Sequence, residues 1–383
     1  MSGQRIHIIG AGICGLTAAA ALHQRGYEVA VYERAAALQP VGAGLVLASN
    51  AMRALKSVGL DELVIPEGAL LERMSIRDHQ GREITRADTT TVTRQYGIHN
   101  FTIHRADLQR VLLSQLPEGC VHTGKACVQV SQAQQQVTAR FTDGTTAVSD
   151  ILLVTDGIHS AVRQYYFPFS KPRYAGYTCW RGVTSHIPEG LEKNVATETW
   201  GPAGRVGIVP MSRDRIYWFA CVNAPQGDET LKNWKSAELA TAFAAYHAPI
   251  PELLQKTPDE AIIWNDILDI KPISRFAFGR ALLMGDAAHA TTPNMGQGAC
   301  QAIEDVAVLV RCLDQYDNTE DALRMVEARR RARTARIINQ SWSLGKLAQM
   351  DKPRSIAFRN FMLRMVPPAV NDLQLRWLYH VAF

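Results

Sequence analysis

The period of the apolar positions changes several times along the chain, and each change marks an element. Arg5–Ile9 (RIHII) is a short apolar run, followed by a glycine-rich turn, Gly10 to Gly15, and then by the alanine-rich stretch Cys14–Arg25. That stretch stops at Gly26, so it predicts a helix with a glycine at its C-terminal end. Glu28–Tyr32 (EVAVY) is the next apolar run. Two short strands joined by one helix predict a parallel crossover unit. Further on, Asn50–Ser57 and Ala106–Gln115 carry apolar residues at helical spacing. Met74–Arg77 reads as a strand before a turn at Gln80-Gly81. Val128–Val130, Val137–Phe141 and Ala147–Val154 read as three more strands, with Asp143-Gly144 as the hairpin signal between the last two.

From Tyr174 to Asp269 the texture changes to short segments dense in aromatic and β-branched residues: YTCWRGVTS, ATETW, RVGIVPM and RIYWFACV. They predict a second sheet with a different task. A buried strand returns at Ala281–Met284, before a Gly-Asp turn. Gly298–Leu313 then predicts a helix with a strong apolar face, and Asp321–Met350 a long helix with a basic face. The expected fold is therefore α/β: a Rossmann-like nucleotide-binding part, an inserted β-rich sheet and C-terminal helices. The expected division gives 1–68, 101–170 and 276–345 to the first part and 69–100 and 171–275 to the second. Residues 346–383 form a C-terminal helical segment.

Composition narrows the function classes. With 47% hydrophobic and 20% charged residues in 383, the chain excludes intrinsic disorder and collagen-like or disulfide-scaffold architectures. Lys and Arg (41) exceed Asp and Glu (36) too slightly to predict a nucleic-acid partner. The seven cysteines form no CxxC pair, so neither a dithiol redox site nor a zinc knuckle is expected, and a reducing, cytoplasmic setting is. No His/Cys/Asp/Glu cluster has metal-ligand spacing, so no metal is expected. No apolar stretch approaches the length of a membrane span. Pro353–Val366 mixes Arg354, Arg359 and Arg364 with Phe358, Phe361, Leu363 and Met365. Such a helix is expected to pack on the nucleotide-binding part, weak contact with a membrane surface being the other reading.

Three motifs carry chemistry. Gly10-Ala11-Gly12-Ile13-Cys14-Gly15 is a GxGxxG between a strand and a helix. Gly10 permits the tight turn, Gly12 lets backbone approach a pyrophosphate, and Gly15 lets helix and strand pack closely. The helix N-terminus offers free N–H groups to phosphate. Glu33, with Arg34 beside it, ends the second strand where an acid accepts hydrogen bonds from a ribose. The second motif is Asp156-Gly157-Ile158-His159-Ser160, at the end of an apolar strand. The third is Gly285-Asp286-Ala287-Ala288-His289, followed by Pro293 and by Gly296-Gln297-Gly298 at a helix start. His289 is expected to hydrogen-bond the loop backbone rather than to act as a base.

In this order the three motifs resemble those of the class A flavoprotein monooxygenases, the p-hydroxybenzoate hydroxylase-like family, and the resemblance covers nearly the whole chain. Arg105, in His104-Arg105-Ala106-Asp107-Leu108, matches the family's R-x-x-L arginine. One departure is Val154-Thr155, where the family usually has Gly-Ala before the DG motif. The resemblance implies non-covalent FAD held at Gly10, Gly12, Gly15, Glu33, Arg34, Gly44, Arg105, Asp156, Gly157, Gly285, Asp286, Gly296 and Gly298. It implies NADH or NADPH as co-substrate, and hydroxylation by O₂ of a small aromatic or N-heteroaromatic molecule through a flavin C4a-hydroperoxide. Pro293 would wall one face of the flavin ring, and Arg205 and Tyr217 would line the substrate pocket.

The chain looks most like hydroxylases of nitrogen heterocycles. Val41-Gly42-Ala43-Gly44, Leu47-Ala48-Ser49-Asn50 and Gln340-Ser341-Trp342 resemble 2-heptyl-4-quinolone 3-hydroxylase, and Arg205 and Tyr217 resemble the pocket pair of urate hydroxylase. 6-Hydroxynicotinate 3-monooxygenase is of the same kind. A polyketide-modifying, tetracycline-type monooxygenase and a non-hydroxylating flavin oxidoreductase remain alternatives. A disulfide or quinone reductase would carry a second GxGxxG or paired cysteines, and a halogenase a WxWxIP segment; none is present. The expected assembly is a monomer or a homodimer.

Overall fold

The first crossover unit forms where the sequence pattern puts it. Strands Arg5–Ile9 and Glu28–Tyr32 pair in parallel on either side of helix Ile13–His23. Ten of the eleven helix residues are buried, because four alanines and a glycine let neighbours approach from several sides and the apolar side chains run all round. The structure is a computed structural model that describes residues 3–39, 42–88, 93, 99–367, 376–379, 381 and 383. Val41 lies outside the described residues, as do parts of the 69–100 and 346–383 segments.

Six strands form the first sheet, in the order Ala277–Phe278, Ala281–Leu283, Ile151–Val154, Arg5–Ile9, Glu28–Tyr32, Val121–His122. All neighbours are parallel except the first pair. One expectation is corrected here. Ala147–Val154 is two strands, not one: Thr146–Ser149 pairs in a three-stranded antiparallel sheet, and Ile151–Val154 enters the parallel sheet. Asp150 makes the break. Its carboxylate accepts from Arg5 N at 2.8 Å and its own N–H donates to Arg5 O at 2.9 Å, pinning the crossing point to the start of the first strand.

The second sheet has seven strands, in the order Ile263–Asp269, Arg173–Thr184, Arg215–Asn223, Gly204–Met211, Val195–Gly201, Arg73–Asp78, Glu83–Asp88. Alternation gives it two unlike faces. One presents Trp180, Val206, Ile208, Trp218 and Ala220, covered by Leu239, Phe243, Leu253 and Leu254 from helices Ser236–Ala242 and Ile250–Gln255. These covering helices were not anticipated from sequence. The register puts Cys179, Arg181, Glu198, Arg205, Tyr217 and Phe219 on the other face.

Helix Pro353–Arg364 departs from expectation twice. It packs on the edge strand Glu83–Asp88 of the second sheet, not on the nucleotide-binding part. It is also turned inside out. Its buried residues are Ile356, Arg359 and Asn360, while Phe358 (68%), Phe361 (59%), Met362 (48%) and Met365 (66%) are exposed. Polar anchors explain the orientation. Arg359 donates to the carbonyls of Leu347 and Ala348, and Arg364 to Glu83 O and the Asp78 carboxylate.

Candidate active site

The three loops singled out in the sequence converge at the carboxyl ends of the parallel strands, where open α/β sheets bind ligands. Gly10 has φ +101°, and a Cβ there would sit 2.6 Å from Thr155 O. A Cβ on Gly15 would meet Gly10 O at 2.0 Å. The departure at Val154-Thr155 has a structural role: Thr155 Oγ1 donates to Ile9 O (2.8 Å) and Gly10 O (3.0 Å), fastening the DG segment to the first glycine turn. Glu33 is fastened there too, accepting from Ala11 N at 2.8 Å and Ala35 N at 2.9 Å. Arg34 is exposed beside it.

Arg163, which sequence reasoning missed, joins the other two loops. It is fully buried and donates to Ile158 O in the DG loop and to Ala287 O (3.2 Å) in the GD loop. Solvent reaches the Asp286 carboxylate even though protein surrounds it, and burial raises its pKa against the pull of His289, Arg105 and Arg163. Arg105 follows the Asn100–His104 strand, and its side chain packs on Gly42, whose Cβ would lie 2.8 Å from Arg105 Cβ.

Beneath the GD loop lies a closed polar network. His289 Nε2 and Asp305 Oδ2 are 2.6 Å apart, and the same Asp305 oxygen accepts from Gly285 N at 2.8 Å. The expected role of His289 is therefore corrected by one step: it bonds the Asp305 carboxylate, and Asp305 holds the loop backbone. Arg330 donates to Asp305 (2.7 Å) and to Glu304, and Arg333 donates to both Glu304 oxygens at 2.7 and 2.8 Å. Burial alone would raise Asp305. His289, Arg330 and the Gly285 N–H instead hold it at about 2.

The polar face of the second sheet turns toward this part of the molecule. A Cβ on Gly44 would lie 2.6 Å from the Tyr217 ring, so Gly44 is required by contact between the two halves. Arg205 is 2% exposed and bonds Glu198 Oε1 (3.0 Å), Tyr177 OH (3.3 Å) and Asn294 Oδ1. Tyr177 OH also donates to Asn294 Oδ1, at 2.8 Å. Asn294 follows Pro293 in the short turn Pro293–Met295 and is the residue of that loop that reaches the second sheet. Pro293 and Gly296 are exposed.

Arg205 and Tyr217 share a face but are not partners. The register pairs Arg205 with Cys221 and Tyr217 with Val209, so the two lie about 13 Å apart along the strands. The Phe219 ring lies between them over Gly207, whose Cβ would sit 2.1 Å from it. Tyr217 lies instead beside Arg181, its diagonal neighbour on the adjacent strand and another residue missed in the sequence.

The residues present suit a flavin dinucleotide. A Cβ on Gly12, Gly157, Gly296 or Gly298 would meet nothing within 4 Å, leaving open backbone on one side of the loops. Helices Ile13–His23 and Gly298–Gln315 start without a side-chain cap or an acid in the first turn, so their N–H groups are free for anionic oxygens. Asp156 Oδ1 is buried without a partner. Among the described residues, no group of His, Cys, Asp and Glu gathers as a metal site.

A glycine-turn crossover unit joined to GD and DG loops, with a second sheet facing them, defines a flavin-dependent oxidoreductase. The comparisons agree: residues 4–341 match the FAD-binding-domain family model, and the chain belongs to that family, as a flavoprotein monooxygenase of the aromatic hydroxylase class. It is 37% identical over 375 residues to an aurachin C monooxygenase/isomerase of Stigmatella aurantiaca, covering 98% of this chain and 97% of that one. It is 36% identical to an FAD-dependent urate hydroxylase of Klebsiella pneumoniae subsp. pneumoniae, covering 84% and 85% of the two. The structure of Klebsiella pneumoniae HpxO complexed with FAD and uric acid superposes with a TM-score of 0.89 at 31% identity, covering 96% and 94% of the two chains.

Proposed function

We propose that this enzyme adds one oxygen atom to a small N-heteroaromatic ring, with NADH or NADPH as reductant and O₂ as oxidant, in the cytoplasm. The observation that carries the reading is the polar face of the second sheet, where Arg205, Tyr177 and Asn294 form one hydrogen-bonding cluster and Arg181, Asn265 and Tyr217 lie together as a second polar group. Two separated clusters suit a planar ring with polar atoms at both ends. The similarity to an FAD-dependent urate hydroxylase and to an FAD and uric acid complex supports the ring class.

FAD, held by Gly10, Gly12, Glu33, Arg105, Asp156 and Asp286, supplies the activation of O₂ once reduced. The protein's part is position and dryness. The uncapped N-terminus of helix Gly298–Gln315 would favour negative charge on the bound flavin. Arg205 and Asn294 orient the ring, and the Trp-rich covered face behind the sheet keeps that wall rigid. The test is NADH and NADPH oxidation by the FAD-loaded protein with urate, hydroxynicotinates, 2-alkyl-4-quinolones, salicylates and kynurenine. A heterocycle that stimulates oxidation and gains one oxygen by mass is expected. Slow peroxide release across the whole panel would overturn the reading.

The outward side of helix Pro353–Arg364 supports a second contact, with anionic lipid. Phe358, Phe361, Met362 and Met365 recur at i, i+3, i+4 and i+7, beside exposed Arg354 and Lys352, and no acid interrupts 352–367. That is the charge and pattern of a helix lying in a membrane interface. Sedimentation with phosphatidylglycerol vesicles, but not with phosphatidylcholine, and its loss in a Phe358→Ser/Phe361→Ser variant are expected. Self-association through this face without lipid binding would overturn it.

A further inference from the structure

We propose that Arg181 and Tyr217 form an anion subsite, so that the substrate docks with a carboxylate, phenolate or enolate oxygen at this end of the sheet. The inference rests on the hydroxylase reading and assigns the charge of its substrate. It starts from a charge imbalance. Arg215, on the same sheet face as Tyr217, is matched by Asp107, and Arg173 by Asp269; Arg181 and Arg205 remain, with Glu198 beside Arg205. Glu198 belongs to Arg205, with Nη1 to Oε1 at 3.0 Å.

Among the described residues, Arg181 has no carboxylate within ion-pair distance. Its hydrogen-bond partner is Asn265 Oδ1 at 3.4 Å, and the Tyr217 phenol lies diagonally across from it on the next strand. Both are neutral, and neither cancels a full charge. Cationic side chains enclosed by protein are normally matched by an anion, because the uncompensated charge is expensive. Arg181 is nonetheless half-buried, so a small molecule can reach it.

A neighbouring group reports the same field. Cys179 is cross-strand from Cys221 and next but one to Arg181 on the same face. Burial pushes the Cys179 thiol up. The guanidiniums of Arg181 and Arg205 pull it down, below the ordinary thiol range. An environment that favours a thiolate also favours a bound oxyanion.

Position makes the site selective. Phe219, half-buried, lies over Gly207 between the Arg181–Tyr217 pair and Arg205. A ring resting there has its anionic oxygen at Arg181 and its opposite edge near the Arg205–Asn294 cluster. Gly44 packs on the Tyr217 ring, so the same phenol that lies beside Arg181 touches the flavin-binding half.

The experiment is a binding titration of the FAD-loaded protein with benzoate and with benzamide, of the same size and uncharged, followed by flavin absorbance and by calorimetry. Benzoate is expected to bind about tenfold more tightly, as a charge-assisted hydrogen bond requires. Arg181→Gln should bring the two affinities together while the flavin spectrum stays that of the parent. Arg181→Lys should keep most of the preference. Equal affinities in the parent, or no binding of either probe, overturn the proposal. So does a preference that survives Arg181→Gln, which would put the anion at Arg205. Because no turnover is measured, failure of the hydroxylation panel with the benzoate preference intact sinks only the hydroxylase reading, and the reverse outcome sinks only the subsite.

Discussion

Two sets of arginines lie close to the candidate active site, and they are wired differently. Below the GD loop, Arg330 and Arg333 meet Glu304 and Asp305, two cations to two carboxylates, and Gln301 and Asn50 fill the remaining positions on Glu304 and Arg330. On the sheet face, Glu198 pairs with Arg205, and among the described residues no carboxylate pairs with Arg181. The first set is closed: it contains every charge it needs and fixes the position of Gly285. The second is open by one charge. Charge closure therefore separates residues that hold the fold from residues that await a ligand, although both sets are arginines in low-dielectric surroundings.

The largest expected effect attacks the closed set. Arg330→Met leaves Glu304 and Asp305 short of a buried partner and should cost about 3–5 kcal/mol of stability, read as a fall in denaturant midpoint. A loss below 1 kcal/mol would break the distinction. Asp286→Ala comes next: FAD affinity should drop about ten- to hundredfold, as for the loss of a charged hydrogen-bonding group, with the apoprotein still folded. Unchanged FAD occupancy would remove Asp286 from the cofactor site. On the open set, Arg205→Ala should raise KM about tenfold or divert oxidation to H₂O₂, with FAD retained and a smaller loss of stability than in Arg330→Met, since Glu198 keeps access to water. Gly44→Ala is a finer probe. Its methyl would displace the Tyr217 ring, so ligand affinity should fall more than FAD affinity does.

The smallest effect is in acid. Asp305 has a folded pKa of about 2, below its ordinary value, so its contribution is complete above the unfolded pKa and is lost as pH falls through 2. Urea unfolding near the bottom of that window should show the loss in the parent. In Arg330→Met the depression is relieved, so this acid-dependent part of the stability should shrink.

The local parts of the fold were legible in the sequence. Arg5–Ile9 and Glu28–Tyr32 form with the bounds read from their apolar runs, since a buried parallel strand next to a glycine turn announces itself. What escaped depends on distant pairing. Asp305 and Arg330 are 25 positions apart, and Arg205 and Asn294 are 89 apart, and no local period links such pairs. The resemblance put Arg205 and Tyr217 in one pocket, but only the register showed that they share a face and have different neighbours. Asn294, next to Pro293, carries no signal of its own, because an asparagine in a turn has a sufficient local reason to be there. The helices between 229 and 255 were missed because they are short, four to seven residues each.

The alternation of the seven-stranded sheet has a consequence for how such an enzyme diversifies. Trp180 and Arg181 are adjacent in the chain, as are Val206 and Arg205, yet one of each pair faces the covered helices and the other faces the ligand. Drift in one set of positions leaves the other undisturbed. A lineage descending from this chain can exchange Arg181, Tyr217 or Phe219 and acquire a new diet while inheriting the same tryptophan-packed wall.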